Sequence, residues 1–284
     1  MQTGRCKLCK QENQQLCDSH YLPKKVYGVT RAPQLTSPHP IALGGADMKQ
    51  SSDQLRDYVL CRSCEDRINK NGERWVLANI PQDYDAPFPL RTALEALRPA
   101  IVTKDVDLYD ITGVRAFDID KLLYFAVSIF WRGAIHDWET ADGLRCPPVE
   151  LCGYEEPIRK FLMGEQQLAN DVVVTVDIWY AKKVLQAAVT PQASHLPECQ
   201  RYWFYVPGII FSIYLGQGIP SGVRRRNASN NVVCVDAPEV RSIWEVTKSM
   251  LESQRVTPKT RLMLNEVAAI RKKAAPAEGR GEAP

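Results

Sequence analysis

The spacing of apolar residues predicts helices in the middle of the chain and strands after them. Residues 119–136 are apolar on nearly every face of a helix, which indicates a helix buried in a core, and Asp118 is placed to cap its first turn. Glu155–Met163 has the composition of a second, shorter helix. Strands are predicted where β-branched and aromatic residues cluster, at residues 172–179, 202–206, 209–215 and 232–235.

The N-terminal quarter of the chain is rich in cysteine and in turn-forming residues. The prolines and glycines of residues 35–47 predict a loop. A helix is predicted from Glu65, which lies in an acidic first turn, to a stop at Gly72. Two more helices are predicted near the other end, at residues 237–252 and 258–273.

These patterns divide the chain into four predicted parts. They are a cysteine-rich module (residues 1–75), a connecting region with several prolines (76–115), a larger domain of helices and antiparallel strands (116–273) and a disordered tail (274–284). The predicted fold class is therefore α+β.

Composition and charge exclude little. The 284 residues are 45% hydrophobic and 24% charged, with a formal net charge of +3, which neither requires nor excludes a nucleic-acid partner. The most apolar run, residues 122–131, is far shorter than the roughly 20 residues that span a bilayer, so we expect no membrane role. The chain opens on polar residues rather than on a secretory signal, and we expect a cytoplasmic location.

Four of the nine cysteines form two Cys-x-x-Cys pairs, Cys6/Cys9 and Cys61/Cys64. In a reducing compartment such pairs typically bind metal. Two tight turns that each supply two thiolates make the tetrahedral site that zinc prefers, so we predict a structural Zn²⁺. An alternative set combines the first pair with Cys17 and His20, which closes a shorter loop but leaves the second pair unused.

The predicted position of the second pair suggests how the module is built. Cys61 and Cys64 stand where a helix begins, and a helix N-terminus stabilises thiolate charge. A cysteine knuckle on a hairpin, joined through zinc to a knuckle at a helix start, is the plan of a treble clef. The sequence between the pairs is a long insertion for that plan.

Three segments carry a resemblance to a known family. They are Cys6-x-x-Cys9, Asp18-Ser19-His20-Tyr21-Leu22-Pro23-Lys24 and Leu60-Cys61-x-x-Cys64-Glu65. Together they resemble zinc-bearing HNH endonucleases. They are more closely similar to a group of uncharacterised bacterial HNH-like proteins that carry Ser-His-x-x-Pro-Lys and Cys-x-x-Cys-Glu. The resemblance covers roughly the first 75 residues.

The resemblance implies roles for particular residues. His20 matches the general base that deprotonates the attacking water. Glu65 stands where the family's last His binds a catalytic divalent metal, and a carboxylate suits Mg²⁺ or Mn²⁺. Ser19 stands where many members have a metal-binding Asp or His, with Asp18 beside it, and Arg56 falls at the usual Asn position.

The predicted function is therefore a metal-dependent nuclease that hydrolyses DNA or RNA phosphodiesters. Lys24, Lys25 and Arg56 are the expected phosphate contacts. The larger domain would select the target or bind a protein partner. The alternative is a non-catalytic zinc-binding protein that binds nucleic acid or a protein, which the altered Asn and last His positions favour.

Two other places carry charge in unusual settings. Arg132 follows the apolar run and needs a charged partner if it is buried, for which Asp137 or Glu139 is expected; the alternative is an arginine that binds a ligand. Residues 224–226 are three consecutive arginines, predicted either as an exposed basic turn or as a nucleic-acid contact.

Overall fold

The chain forms two compact units in a computed structural model. One unit comprises Met1–Thr30 and Asp53–Glu245, and the other comprises Arg31–Ser52 and Val246–Pro284. The structure describes residues 2–31, 36, 39–44, 47–51, 53–83, 86–104, 106–141, 143, 145–179, 184, 186–236, 255–258, 260–262, 264–266 and 269.

Both units contain strands and helices, and the strands come in runs rather than alternating with helices, in agreement with the predicted α+β class. The strands are β1 (Gln2–Gly4), β2 (Gln14–His20), β3 (Ile41–Gly44), β4 (Asp47–Gln50), β5 (Arg56–Cys61), β6 (Ile101–Val102), β7 (Val106–Asp110), β8 (Val172–Ile178), β9 (Val189–His195), β10 (Gln200–Val206), β11 (Ile209–Leu215), β12 (Val232–Asp236) and β13 (Arg255–Val256). The helices are α1 (Lys24–Val29), α2 (Arg62–Ile68), α3 (Arg74–Asn79), α4 (Pro89–Glu95), α5 (Ile119–Ile135), α6 (Glu155–Met163) and α7 (Ser221–Arg225), with a π-helical turn at Asn69–Glu73 and a 3-10 turn at Ala228–Asn230.

The described residues form three sheets, two of them in the first unit. A small antiparallel sheet has the order β1-β2-β5. A seven-stranded sheet has the order β6-β7-β12-β8-β11-β10-β9, and all of its pairs are antiparallel except β12 with β8. The second unit contains the sheet β13-β4-β3.

Helix α5 forms the centre of the first unit. The Asp118 side chain accepts a hydrogen bond from the backbone N–H of Lys121, as predicted for its cap. Phe125 lies 5.4 Å, ring to ring, from Phe211 on the seven-stranded sheet, and Phe130 lies 5.0 Å from Phe204. Aromatic pairs of this kind each add about 0.5–1.5 kcal/mol beyond the area they bury. The prediction of a helix buried in a core is confirmed.

Helix α2, the π-turn and α3 form one continuous helical run, which begins directly after Cys61 and contains Cys64. Gly72 does not end this run, so the predicted stop is wrong. A Cβ at Gly72 would lie only 2.8 Å from the backbone nitrogen of Phe125, which shows that glycine is needed here for the close approach of α5. This glycine therefore reflects packing between helices rather than a helix end.

Other predicted boundaries differ from the structure. The predicted loop at residues 35–47 includes strand β3 and the start of β4. The predicted connecting region contains β7, which pairs with β12 in the seven-stranded sheet and buries the adjacent residues Leu108 and Tyr109. Strand β9 was not predicted, since its edge position accommodates Pro191 and polar residues.

The remaining predictions divide into three groups. Helix α6 and the strands β8, β10, β11 and β12 lie where they were predicted. The described residues between 258 and 269 are helical, in agreement with the predicted helix 258–273. The predictions for residues 237–252 and 274–284 lie outside the described residues.

Among the described residues, no helix combines the length and the apolar composition required to cross a lipid bilayer.

Replacing Gly72 with alanine tests the contact between the π-turn and α5. We expect Gly72→Ala to lower the free energy of unfolding by about 1–3 kcal/mol, because the new methyl group overlaps the backbone at Phe125. Gly28→Ala is the matched control, since no atom lies within 4 Å of a Cβ at this helical position. Urea unfolding measures both variants. Equal stability of the two variants would contradict the packing described here.

Candidate metal centre

The two Cys-x-x-Cys pairs meet at one point. The sulfur atoms of Cys6, Cys9, Cys61 and Cys64 all lie within 4.8 Å of one another, and those of Cys9 and Cys61 are 3.9 Å apart. A tetrahedral zinc with Zn–S bonds of about 2.3 Å separates its sulfurs by about 3.8 Å. The four sulfurs therefore form a set that could hold a metal ion such as zinc.

The first pair lies in the turn between β1 and β2. The backbone N–H of Cys6 donates to the carbonyl of Gln11 at 3.0 Å, and the N–H of Lys10 donates to the carbonyl of Cys6 at 2.9 Å. Lys10 has a positive φ of 61°, which reverses the chain directly after Cys9. The tight turn places both sulfurs on one side of the hairpin.

The second pair lies at the junction of β5 with α2. Cys61 is the last residue of β5 and the N-cap of α2, and Cys64 lies within the helix. The backbone N–H of Cys61 donates to the Cys6 sulfur at 3.3 Å, which joins the two pairs directly. A helix N-terminus stabilises negative charge, so this junction favours thiolates.

Hydrogen bonding favours ionisation at Cys6. A hydrogen bond from the Cys64 thiol and backbone N–H donors, among them that of Cys61, lower the pKa of Cys6 to about 4, although burial opposes the shift. The same interaction with Cys6 raises the pKa of Cys64 above its ordinary value, and burial adds to it. The cluster thus holds one thiolate readily, and a bound cation would displace the protons that remain.

Cys17 and His20 do not join this group. Among the described residues, the only set of three or more cysteine, histidine or carboxylate side chains that converge on one point is the four-cysteine group. Cys17 is a free thiol whose pKa is raised by burial and by the charge of Glu65. The alternative metal-binding set is therefore not formed.

Helix α6 holds the first cysteine turn in place from far along the chain. Arg159 donates to the carbonyl oxygen of Leu8 at 2.9 Å, inside the Cys6–Cys9 turn. The ammonium group of Lys10 lies 2.6 Å from the Glu156 carboxylate. The cysteine turn and α6 are thus parts of one core in the first unit.

His20 lies at the end of β2, opposite Arg56 on β5. Burial lowers the pKa of His20 below its ordinary value, while the charge of Asp18 and a hydrogen bond with Gln54 act in the other direction. Glu65, on α2, also raises the pKa of His20 through its charge. The lowered pKa keeps the imidazole mainly neutral at pH 7.

The neighbours of His20 have other partners. Asp18 and Arg56 form an ion pair at 2.7 Å that is largely exposed. Ser19 is buried, and its hydroxyl oxygen accepts a hydrogen bond from the backbone N–H of Leu60 at 3.2 Å. Ser19 therefore fastens β2 to β5, and its side chain points into the core.

Glu65 also contacts a buried arginine of α5. The side chain of Arg132 is only 2% exposed; it lies 2.6 Å from Glu73 and 3.5 Å from Glu65. Burial alone would lower the pKa of Arg132, but the charges of Glu73 and Glu65 raise it above its ordinary value. The predicted partners of Arg132 were wrong, since one of them, Glu139, pairs with Arg145.

Sequence reasoning missed Glu73. Glu65 and Glu73 are eight positions apart, a spacing that offsets two residues by about 80° around a regular α-helix. The signal that could have found the pair was the predicted burial of Arg132, which required carboxylates from elsewhere in the chain.

The predicted phosphate contacts are exposed. Lys24 and Lys25 occupy the solvent side of α1, which begins four residues after His20. The arginine run at residues 224–226 lies at the end of α7, where Arg226 pairs with Asp177 and Arg224 donates to the carbonyl oxygen of Asn170. Two of these three arginines therefore have structural contacts, and Arg225 is exposed.

Comparison with known proteins gave no match to a family model, a curated protein or a solved structure.

The metal content of cysteine variants distinguishes the two candidate ligand sets. We expect wild-type protein purified without chelator to carry about one metal ion per chain, and Cys61→Ser to lose most of it, because four thiolates are needed to close the site. Cys17→Ser should keep the metal. Elemental analysis by mass spectrometry measures each sample. Loss of metal in Cys17→Ser with retention in Cys61→Ser would support the alternative set.

Proposed function

We propose that this protein is an HNH-like, metal-dependent nuclease whose zinc ion is structural and whose general base is His20. One observation carries the proposal. The four-cysteine group is complete without His20, so the imidazole is not needed as a zinc ligand, and it lies within electrostatic range of the Glu65 carboxylate.

The order of elements supports the same assignment. A cysteine turn is followed by β2 with His20 at its end, then by β5, and then by a second cysteine pair from which α2 starts. This order agrees with the treble-clef plan that the resemblance to HNH endonucleases implies. In that plan the zinc fixes the angle between strand and helix, and the two carry the reacting groups.

Each side chain then has a defined task. A neutral His20 accepts a proton from the water that attacks phosphorus. The Oε1 atom of Glu65 is buried and has no hydrogen-bond partner among the described residues, so it is available to a divalent cation. Such a cation would stabilise charge on the phosphate. Lys24 and Lys25 are exposed and suited to binding the phosphate backbone.

A second function has its own supporting observation. Arg56 is neutralised by Asp18, and the side chain of Ser19 is buried, so two positions beside His20 are engaged in other contacts. This arrangement favours a non-catalytic zinc protein that binds nucleic acid or a protein partner through the same surface.

Plasmid nicking and RNA degradation with Mg²⁺ or Mn²⁺ decide between the two functions. We expect the wild type to cleave at least one substrate, and His20→Ala to reduce the rate by about 10²–10⁴-fold, the usual contribution of a general base. Glu65→Gln should also reduce it. Glu139→Gln is the matched control, because Glu139 pairs with Arg145 at the surface.

The outcomes separate clearly. An inactive wild type that still binds labelled DNA or RNA would favour the non-catalytic function. Activity that survives in His20→Ala would exclude His20 as the base.

The pH dependence of cleavage gives an independent check. Because the pKa of His20 is lowered by burial, the neutral base persists to pH values below about 6.5, the ordinary histidine pKa. The acid limb of the pH profile of kcat/KM should therefore have its midpoint below that value. A midpoint above 7 would rule out His20 as the group that titrates.

A further inference from the structure

Two buried charges, those of Arg132 and Glu73, lie beside the half-buried Glu65, and the two ion-pair distances are unequal. The Nη1 atom of Arg132 lies 2.6 Å from Oε1 of Glu73, whereas its Nη2 atom lies 3.5 Å from Oε2 of Glu65. The first distance is that of a short, charge-assisted hydrogen bond, and the second is at the limit of hydrogen bonding. The main ion-pair partner of Arg132 is thus Glu73.

The π-turn explains how both carboxylates reach the same arginine. In a regular α-helix, residues eight positions apart are offset by about 80° around the axis. A π-turn takes up one additional residue, so Glu65 and Glu73 become equivalent to a pair seven positions apart, which share one face. Both side chains therefore point toward α5, which carries Arg132.

Close packing fixes this arrangement. Gly72, next to Glu73, lets the π-turn approach the backbone of α5 at Phe125, two helical turns before Arg132. The Glu73 side chain is 9% exposed and that of Arg132 is 2% exposed, so neither charge can turn to water when its partner is lost. A buried guanidinium that loses one carboxylate must take another.

We propose that Glu73 is a positioning residue that holds Arg132 and so leaves the Oε1 atom of Glu65 available to bind a divalent cation. Without Glu73, Arg132 would turn fully to Glu65 and compete with the cation for its carboxylate. This inference rests on the proposed function, because it concerns the same metal-binding carboxylate.

Mn²⁺ binding to the full-length, zinc-loaded protein tests the inference without requiring cleavage. Electron paramagnetic resonance measures free and bound Mn²⁺. We expect Glu65→Gln to abolish the tightest site and Glu73→Gln to weaken it by about tenfold, as is usual for the partners of metal ligands. The double variant Glu73→Gln/Arg132→Gln should return to within about threefold of the wild type, because the competing arginine is gone. Glu139→Gln is again the control.

The double variant separates a positioning role from a structural one. If Glu73 only stabilised the fold, removing Arg132 as well would not restore Mn²⁺ binding, and that result would overturn the inference. An unchanged affinity in Glu73→Gln would overturn it too, while leaving the proposed function intact. A wild type without Glu65-dependent Mn²⁺ binding would overturn the catalytic metal site itself, and with it this inference.

A milder variant covers the case in which Glu73→Gln does not fold. Glu73→Asp keeps the charge but withdraws the carboxylate by one methylene, which loosens its bond with Arg132. We expect Mn²⁺ binding about threefold weaker than in the wild type, with normal zinc content and circular dichroism. No change in affinity would count against the inference.

Discussion

Four sulfur atoms from distant parts of the chain have to meet at one point, and the first unit is organised around that requirement. Cys9 and Cys61 are 52 positions apart, and closing a loop of that length costs about 3.5 kcal/mol plus a constant. Structural zinc in small domains contributes about 10–16 kcal/mol, which exceeds this cost several-fold. A metal ion at this point would therefore be sufficient to keep β5 and α2 beside the first cysteine turn. The contact between Arg159 and the Leu8 carbonyl adds a second, metal-independent tie to the same turn.

The junction of β5 with α2 also determines where Glu65 lies on the neighbouring surface. Because Cys61 caps α2, the position of Glu65 follows from the cysteine pair, and His20 ends β2, the strand that pairs with β5. The junction alone does not determine which way the Glu65 carboxylate faces, since α5 supplies a buried cation close to it. The geometry of the proposed active site thus depends both on the cysteine turns and on α5, the helix that packs on the seven-stranded sheet. The sequence patterns had placed the cysteine turns and α5 in separate domains.

Local patterns were sufficient to predict some of these elements and insufficient for others. The apolar patterns of α5, α6 and the central strands of the large sheet identify these elements without knowledge of their neighbours. Each element buries either one face or all of its faces, and its sequence shows this directly. The convergence of the four cysteines was predictable because two Cys-x-x-Cys pairs are typical of a metal site. The π-turn, the partners of Arg132 and strand β7 could not be predicted in this way. Each depends on a neighbour far away in the chain: Phe125 for Gly72, Glu73 for Arg132, and β12 for β7. Where such a distant neighbour decides the structure, a local signal can give the wrong answer, as it did when Gly72 was interpreted as a helix end.

The second unit is assembled from two segments that are synthesised at different times. Strands β3 and β4 form a hairpin within the stretch of sequence between β2 and β5, two neighbouring strands of the three-stranded sheet in the first unit. The third strand, β13, pairs with β4 in parallel and lies about 200 residues later. At a translation rate of about 5–20 residues per second, β4 consequently exists for tens of seconds before β13, its parallel partner, is synthesised. An unpaired strand edge is a template for pairing with another chain, so this edge is open to aggregation until β13 has been made.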